Sequence, residues 1–283
     1  MKIKNTGCLA LAFLLFVTGS TCLLAQAKTT SAISVKSPDH QVELKIEIKS
    51  QIMYSVYLNS KEIISPSPIS LTINDNIILG RRPVLENLSR TSVDDKIFPV
   101  VKEKRSVVID RYEQVNLKFR GNFGLIFRVY NDGVAYRFYT GYRVPIKIRA
   151  EEVTFTFHEN YHVYFPFIGS LHTSFESTYS YLPIKDVGVD RFGYAPVVVE
   201  LNDGLKVAIT DVDVDDYPGM FLTGNKEGLA SLTGKFAPYP AEEKLRQGSD
   251  RELEVIQEAN YLAETRGNRQ YPWRLILLAK NDA

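Results

Sequence analysis

The run Asp211-Val212-Asp213-Val214-Asp215-Asp216 sets carboxylates at first, third and fifth positions, as in the opening of a helix–loop–helix calcium loop. That loop needs glycine at its sixth position for a sharp turn and glutamate at its twelfth as a bidentate ligand. Asp216 and Leu222 stand there instead, so the pattern fails. The run is expected to be a strand end whose alternating carboxylates face water, with one carboxylate beside a ligand site as the alternative. His158, His162 and His172 lie close in sequence, and a spacing of four on a helix would aim two imidazoles at one metal. The residues around them read as strand, turn and strand, where that spacing does not converge, so satisfied or solvent-facing histidines are expected. No Gly-x-Ser-x-Gly elbow, phosphate-binding Gly-x-x-x-x-Gly-Lys loop or dinucleotide fingerprint occurs.

Ser174-Phe175-Glu176-Ser177-Thr178-Tyr179-Ser180-Tyr181 differs in character, joining one carboxylate, small hydroxyls and three aromatic rings. Aromatic faces stack on pyranose rings, and a loop carboxylate can bind hydroxyls or a hard cation. A surface loop with packed tyrosines is the plainer account of the same composition.

These residues need strands to hold them. Val42–Lys49 alternates apolar and charged residues, which predicts a half-buried strand with Val42, Leu44, Ile46 and Ile48 inward, and Ile52–Leu58 as its antiparallel partner. Ser65-Pro66-Ser67-Pro68 predicts a turn or edge, because two prolines remove ladder donors, and extended structure resumes over Leu71–Leu79. Asn131-Asp132-Gly133 and Asn202-Asp203-Gly204 each sit between β-branched or aromatic flanks and predict hairpins, with glycine tolerating positive φ in a tight turn. Val153–Phe157 and Tyr161–Phe165 add strands, while Asp250–Glu264 fits a helix or a charged strand. With no βα alternation, the expected fold is all-β: two large sheets in one sandwich.

Composition agrees. Of 283 residues 45% are hydrophobic and 24% charged, with 34 basic against 33 acidic side chains, so the class is globular and a polyanion such as nucleic acid is not an expected partner. Sixteen Tyr and fifteen Phe favour strands. Met1–Ala27 has the form of a secretory leader: Lys2 and Lys4, the apolar Leu9–Val17, then Ala25-Gln26-Ala27. The apolar run falls short of the ~20 residues of a spanning helix. Cleavage after Ala27 is expected, giving an exported, periplasmic or extracellular domain over 28–283 with no membrane anchor. Both cysteines, Cys8 and Cys22, precede that point, which removes disulfides, zinc thiolates and a cysteine nucleophile.

Four stretches, in order, resemble the amino-terminal domain of glycoside hydrolase family 97. They are Phe123–Phe138 (FGLIFRVYNDGVAYRF), Phe175-Glu176-Ser177-Thr178-Tyr179, Asp215-Asp216-Tyr217-Pro218-Gly219-Met220 and Asn260–Arg274 (NYLAETRGNRQYPWR). The resemblance implies a β-supersandwich ahead of a (β/α)8 barrel, in exported, calcium-dependent enzymes acting on α-glucosides or α-galactosides. It places Glu176 at the family's amino-terminal calcium ligand, on a site that the barrel completes. Where the family usually has glutamate ahead of Asp-Tyr-Pro-Gly-Met, this chain has Asp211, to which no role is carried.

The barrel would need ~250 residues beyond Pro272-Trp273-Arg274, and Ala283 is the last residue here. The catalytic residues are therefore expected elsewhere, none in this chain. The chain alone is expected to be inactive, because glycoside hydrolysis needs a pair of carboxylates across the scissile bond. The alternative is a stand-alone carbohydrate-binding module in which Tyr179, Tyr181, Tyr217 and Trp273 form an exposed stacking platform. A remnant without function is a third reading.

Overall fold

The computed structural model describes Met1 and residues 32–101, 105–225, 228–248 and 253–280. The leader and its cleavage point lie outside the described residues. Strands follow one another with a single 3-10 turn, Ile184–Asp186, among the described residues. The first nine are β1 (Ile33–Lys36), β2 (Val42–Ile48), β3 (Ile52–Leu58), β4 (Lys61–Ile73), β5 (Ile77–Leu79), β6 (Leu85–Ile97), β7 (Val108–Phe119), β8 (Phe123–Tyr130) and β9 (Gly133–Gly141). Next come β10 (Ile146–Thr156), β11 (His162–Phe165), β12 (Phe167–Ile168), β13 (Ser180–Pro183), β14 (Phe192–Tyr194), β15 (Val197–Glu200) and β16 (Lys206–Val212). The last are β17 (Phe221–Gly224), β18 (Ser231–Lys235), β19 (Pro240–Leu245), β20 (Leu253–Glu258), β21 (Ala263–Thr265), β22 (Asn268–Gln270) and β23 (Trp273–Ala279).

They form two large antiparallel sheets. One runs β1-β2-β3-β4-β10-β18-β17-β14-β12, with β5 and β21 attached to β4 and β10; the other runs β13-β11-β15-β16-β23-β9-β8-β7-β6, with β22 attached to β9. The pair β19–β20 stands apart as a hairpin. Strict alternation in β2 buries Val42, Leu44, Ile46 and Ile48 as expected, in one core with Leu125, Phe127 and Val129 of β8. The sandwich expected from the sequence is the fold observed.

Some local expectations are revised. Ser65–Pro68 is neither turn nor edge: it lies within β4, between β3 and β10. The prolines are accommodated because both ladders are irregular there, between Tyr54 and Val56 on one side and Val153 and Thr156 on the other. Ser67 Oγ accepts the Thr156 N–H at 2.9 Å in place of a ladder bond. Leu71–Leu79 is a hairpin rather than one extended piece, turning at Asn74–Asn76 between β4 and β5. Gly133 follows its turn as expected, yet its φ is not positive, whereas Gly204 has φ +78°. Gly133 is required for space: a Cβ there would stand 2.3 Å from the Ile276 carbonyl oxygen. Of the ambiguous Asp250–Glu264, residues 250–252 lie outside the described residues, Leu253–Glu258 is strand β20, and β21 begins at Ala263.

Candidate functional site

Glu176 lies on the loop between β12 and β13, the strands that end the two sheet orders. Neighbours on both sides fix its backbone. Phe175 takes φ +59°, stacks on Phe221 at 5.8 Å and meets Tyr194 edge-on at 5.3 Å. The Ser177 N–H donates to Tyr194 Oη at 3.1 Å, and Ser177 Oγ donates to the Phe167 carbonyl at 2.8 Å. Tyr179 Oη donates to the Pro196 carbonyl at 3.1 Å. Between these anchors Glu176 is exposed and its carboxylate has no partner among the described residues. A positive φ at a bulky residue costs about 1–3 kcal/mol and persists where surrounding contacts hold it. The loop therefore holds a free carboxylate in one place.

One such carboxylate suits calcium, which takes hard oxygen ligands. Among the described residues no group of three or more His, Cys, Asp or Glu side chains gathers closely enough to hold a metal. A lone loop carboxylate such as Glu176 could supply one oxygen ligand to such an ion.

A second concentration of charge is internal. Arg274 on β23 is wholly buried. Its Nε and Nη2 donate to the two oxygens of Glu151, at 2.9 and 2.7 Å, and its Nη1 donates to Asp211 Oδ2 at 3.0 Å. Tyr217 Oη donates to Glu151 Oε2 at 2.8 Å, and the Met220 N–H donates to Asp211 Oδ2 at 2.7 Å. Glu151 reaches the core because β10 slips register between Ile148 and Ala150. The bulge resets the alternation, so Glu151 points inward in phase with Val153 and Phe155. Burial works against the Arg274 charge, but Glu151 outweighs it and holds the guanidinium well above its usual value. Burial likewise raises the Asp211 carboxyl, opposed by Arg274 and by the Met220 N–H. Tyr217 is raised well above its usual value by burial and by Glu151.

The aspartate run does not simply face water. Besides Asp211, Asp213 pairs with Arg137 at 2.8 Å and Asp216 with Arg269 at 2.8 Å, so the end of β16 and the segment after it are pinned by three arginines. Composition pointed to the carboxylates but not to their partners. Glu151 carried a usable signal, the same parity as Val153, Phe155 and Phe157.

The four-ring platform is not built. Tyr217 is 7% exposed and belongs to the core. Trp273 is half-buried, with the Arg128 and Arg137 guanidinium groups 4.7 and 4.8 Å from its ring centroid. Tyr179 and Tyr181 are exposed, and Tyr181 donates to Glu200 at 2.8 Å. The histidines are exposed as expected: His162 stacks on Tyr181 at 4.8 Å, and His172 approaches Glu258 at 3.7 Å.

Comparison with known proteins supplies the family. Residues 35–283 match the family model described as Glycosyl-hydrolase 97 N-terminal. A retaining alpha-galactosidase from Bacteroides thetaiotaomicron is 31% identical over 280 residues, covering 95% of this chain and 41% of that protein. A glycoside hydrolase family 97 enzyme from Pseudoalteromonas sp. strain K8, solved with acarbose, superposes with a TM-score of 0.73 at 17% identity, over 88% of this chain and 36% of its own. A beta-arabinopyranosidase superposes with a TM-score of 0.72 at 23% identity, over 88% of this chain and 40% of its own. The chain thus spans less than half the length of these relatives. With the family model covering nearly all of the described sandwich, the chain belongs to the glycosyl-hydrolase 97 N-terminal family.

Proposed function

We propose that this sandwich is the amino-terminal domain of an exported, calcium-dependent α-glycosidase, and that Glu176 is its contribution to the calcium site. The observation that carries the reading is the Glu176 carboxylate, exposed and unpartnered among the described residues on a loop fixed by Phe175, Ser177 and Tyr179. The substrate class, an α-linked galactoside or glucoside, is suggested by the retaining alpha-galactosidase and by the enzyme solved with acarbose. Catalytic carboxylates would lie on the further part of a longer polypeptide: the two that the structure brings together, Glu151 and Asp211, are both paired with the buried Arg274, whereas glycoside hydrolysis uses a pair flanking a bound substrate. Calcium, when bound, would supply a fixed positive charge for substrate hydroxyls and for neighbouring carboxylates. Export is supported by the charged, apolar and small-residue order of Met1–Ala27.

Glu176→Gln in the polypeptide carrying the catalytic part tests the assignment. The amide keeps the shape of the side chain but lacks the charge, so calcium affinity is expected to fall about 10–100-fold, on the scale of losing a supporting metal contact, and turnover with it. Isothermal titration with calcium and an α-galactoside assay are the readouts. Unchanged calcium affinity removes Glu176 from the site.

A further inference from the structure

Glu176 is exposed in the middle of its loop, yet the residues at alternate positions around it converge on one buried side chain. That side chain is Tyr194 on β14, only 7% exposed. Phe175 meets its ring edge-on at 5.3 Å, and Tyr179 does so at 6.4 Å, both within the range of favourable aromatic pairs. Between them the Tyr194 hydroxyl accepts the Ser177 N–H at 3.1 Å and lies 3.4 Å from the Ser177 carbonyl oxygen. One tyrosine therefore touches the residue before Glu176, the residue after it and the residue three beyond.

Tyr194 is itself fixed by the sheet. It pairs with Phe221 across β14 and β17, while Phe192 and Gly193 of the same strand pair with Ile168 and Phe167 of β12. β12 is the strand from which the loop departs. The chain turns through Phe175 at φ +59° and comes back to β12 where Ser177 Oγ donates to the Phe167 carbonyl at 2.8 Å. Phe221, opposite Tyr194 in the ladder, stacks on Phe175 at 5.8 Å. A backbone with positive φ at a bulky residue persists where contacts over-determine it, and Tyr194 makes contacts on both sides of the carboxylate.

We propose that Tyr194 is the positioning residue of Glu176, fixing the loop backbone on either side of the carboxylate so that a metal meets an oxygen already in place. The proposal rests on the reading of Glu176 as a calcium ligand. Its physical basis is ordering. A ligand on a loose loop must be immobilised when the ion binds, whereas a held loop has given up that freedom on folding. Tyr194 contacts Phe175, Ser177 and Tyr179, so it acts through the loop rather than on the ion.

Tyr194→Phe keeps the ring and removes the hydroxyl. In the polypeptide carrying the catalytic part, calcium affinity is measured by isothermal titration for the wild type, Tyr194→Phe, Glu176→Gln and the double variant. Tyr194→Phe is expected to weaken calcium binding about 3–10-fold, the scale of one net hydrogen bond, and to add nothing once Glu176→Gln is present. Equal weakening in both backgrounds is what a general loss of structure gives, and it overturns the proposal. So does unchanged affinity in Tyr194→Phe while Glu176→Gln weakens binding, a result that leaves the calcium reading standing. Amide hydrogen exchange of the chain alone, in a chelator, supplies a readout without calcium. Exchange over 174–178 is expected to rise at least about threefold in Tyr194→Phe, with β17 and β23 unchanged. Unchanged exchange over 174–178, or a rise shared by β17 and β23, overturns the proposal whatever calcium does. A local rise together with a Glu176→Gln variant of undiminished calcium affinity keeps Tyr194 as the holder of the loop and overturns the calcium reading.

Discussion

Arg274 holds a full positive charge where water does not reach it, and the surrounding residues are arranged around that fact. Two carboxylates and a tyrosine hydroxyl converge in one cluster, and the fork of Glu151 takes two of the guanidinium donors. A buried ion pair of this kind is weak evidence of net stabilisation, because desolvation offsets the attraction, but breaking it is costly. Arg274→Met removes the charge, together with the guanidinium that lies 5.0 Å from the Phe236 ring centroid, leaving Glu151 and Asp211 facing each other in the core. The expected loss is about 3–5 kcal/mol, a fall in melting temperature on the order of 10 °C for a domain of this size. Scanning calorimetry of the variant decides it, and an unchanged midpoint would show that the cluster is relaxed by solvent. β23 carries Arg274 inward and Trp273 and Leu275 outward, so one strand links the internal charge cluster to the outer face of its sheet.

The two hairpins with an Asn-Asp-Gly turn look alike in sequence but are built on different constraints. Gly204 adopts φ +78° with open space around it, so a methyl group there meets only the left-handed penalty, roughly 1–2 kcal/mol. Gly133 has no such φ but a Cβ there would face the Ile276 carbonyl oxygen at 2.3 Å, so Gly133→Ala must push β9 from β23, an overpacking cost of about 3 kcal/mol or more. Urea unfolding should rank Gly133→Ala well below Gly204→Ala, and the reverse order would mean that turn conformation dominates both. This distinction was not legible in the sequence, since it depends on β23, which lies at the far end of the chain from the turn. Local periodicity did reveal β2, β3 and the hairpin strands, where one face is buried and one is wet. It misread Pro66 and Pro68 because irregular ladders on both sides allowed them into an internal strand. The Glu176 loop was legible through its resemblance to a family, whereas the arginines that pin Asp211, Asp213 and Asp216 come from β23, β9 and β22 and left no local trace.

At the scale of the molecule, the sandwich has a well-filled core and, on the proposed reading, one part of a metal site. Glu176 offers one ligand, and the described residues gather no set of three, whereas calcium takes six to eight oxygens. A ligand that binds the folded state stabilises it by mass action, about 2.7 kcal/mol when its concentration is roughly a hundred times Kd. The same calcium concentration should therefore leave the melting temperature of the chain alone unchanged, but raise that of the polypeptide carrying the catalytic part. Glu176→Gln should reduce that rise without moving the baseline measured in a chelator. Stabilisation of the chain alone would locate a complete calcium site within these residues and remove the need for ligands from elsewhere. Indifference of the longer polypeptide would separate the fold from calcium altogether. The expected pattern, stabilisation only where both parts are present, follows if Glu176 is one ligand among several and its loop, anchored through Phe175, Ser177 and Tyr179, holds it in place for the others.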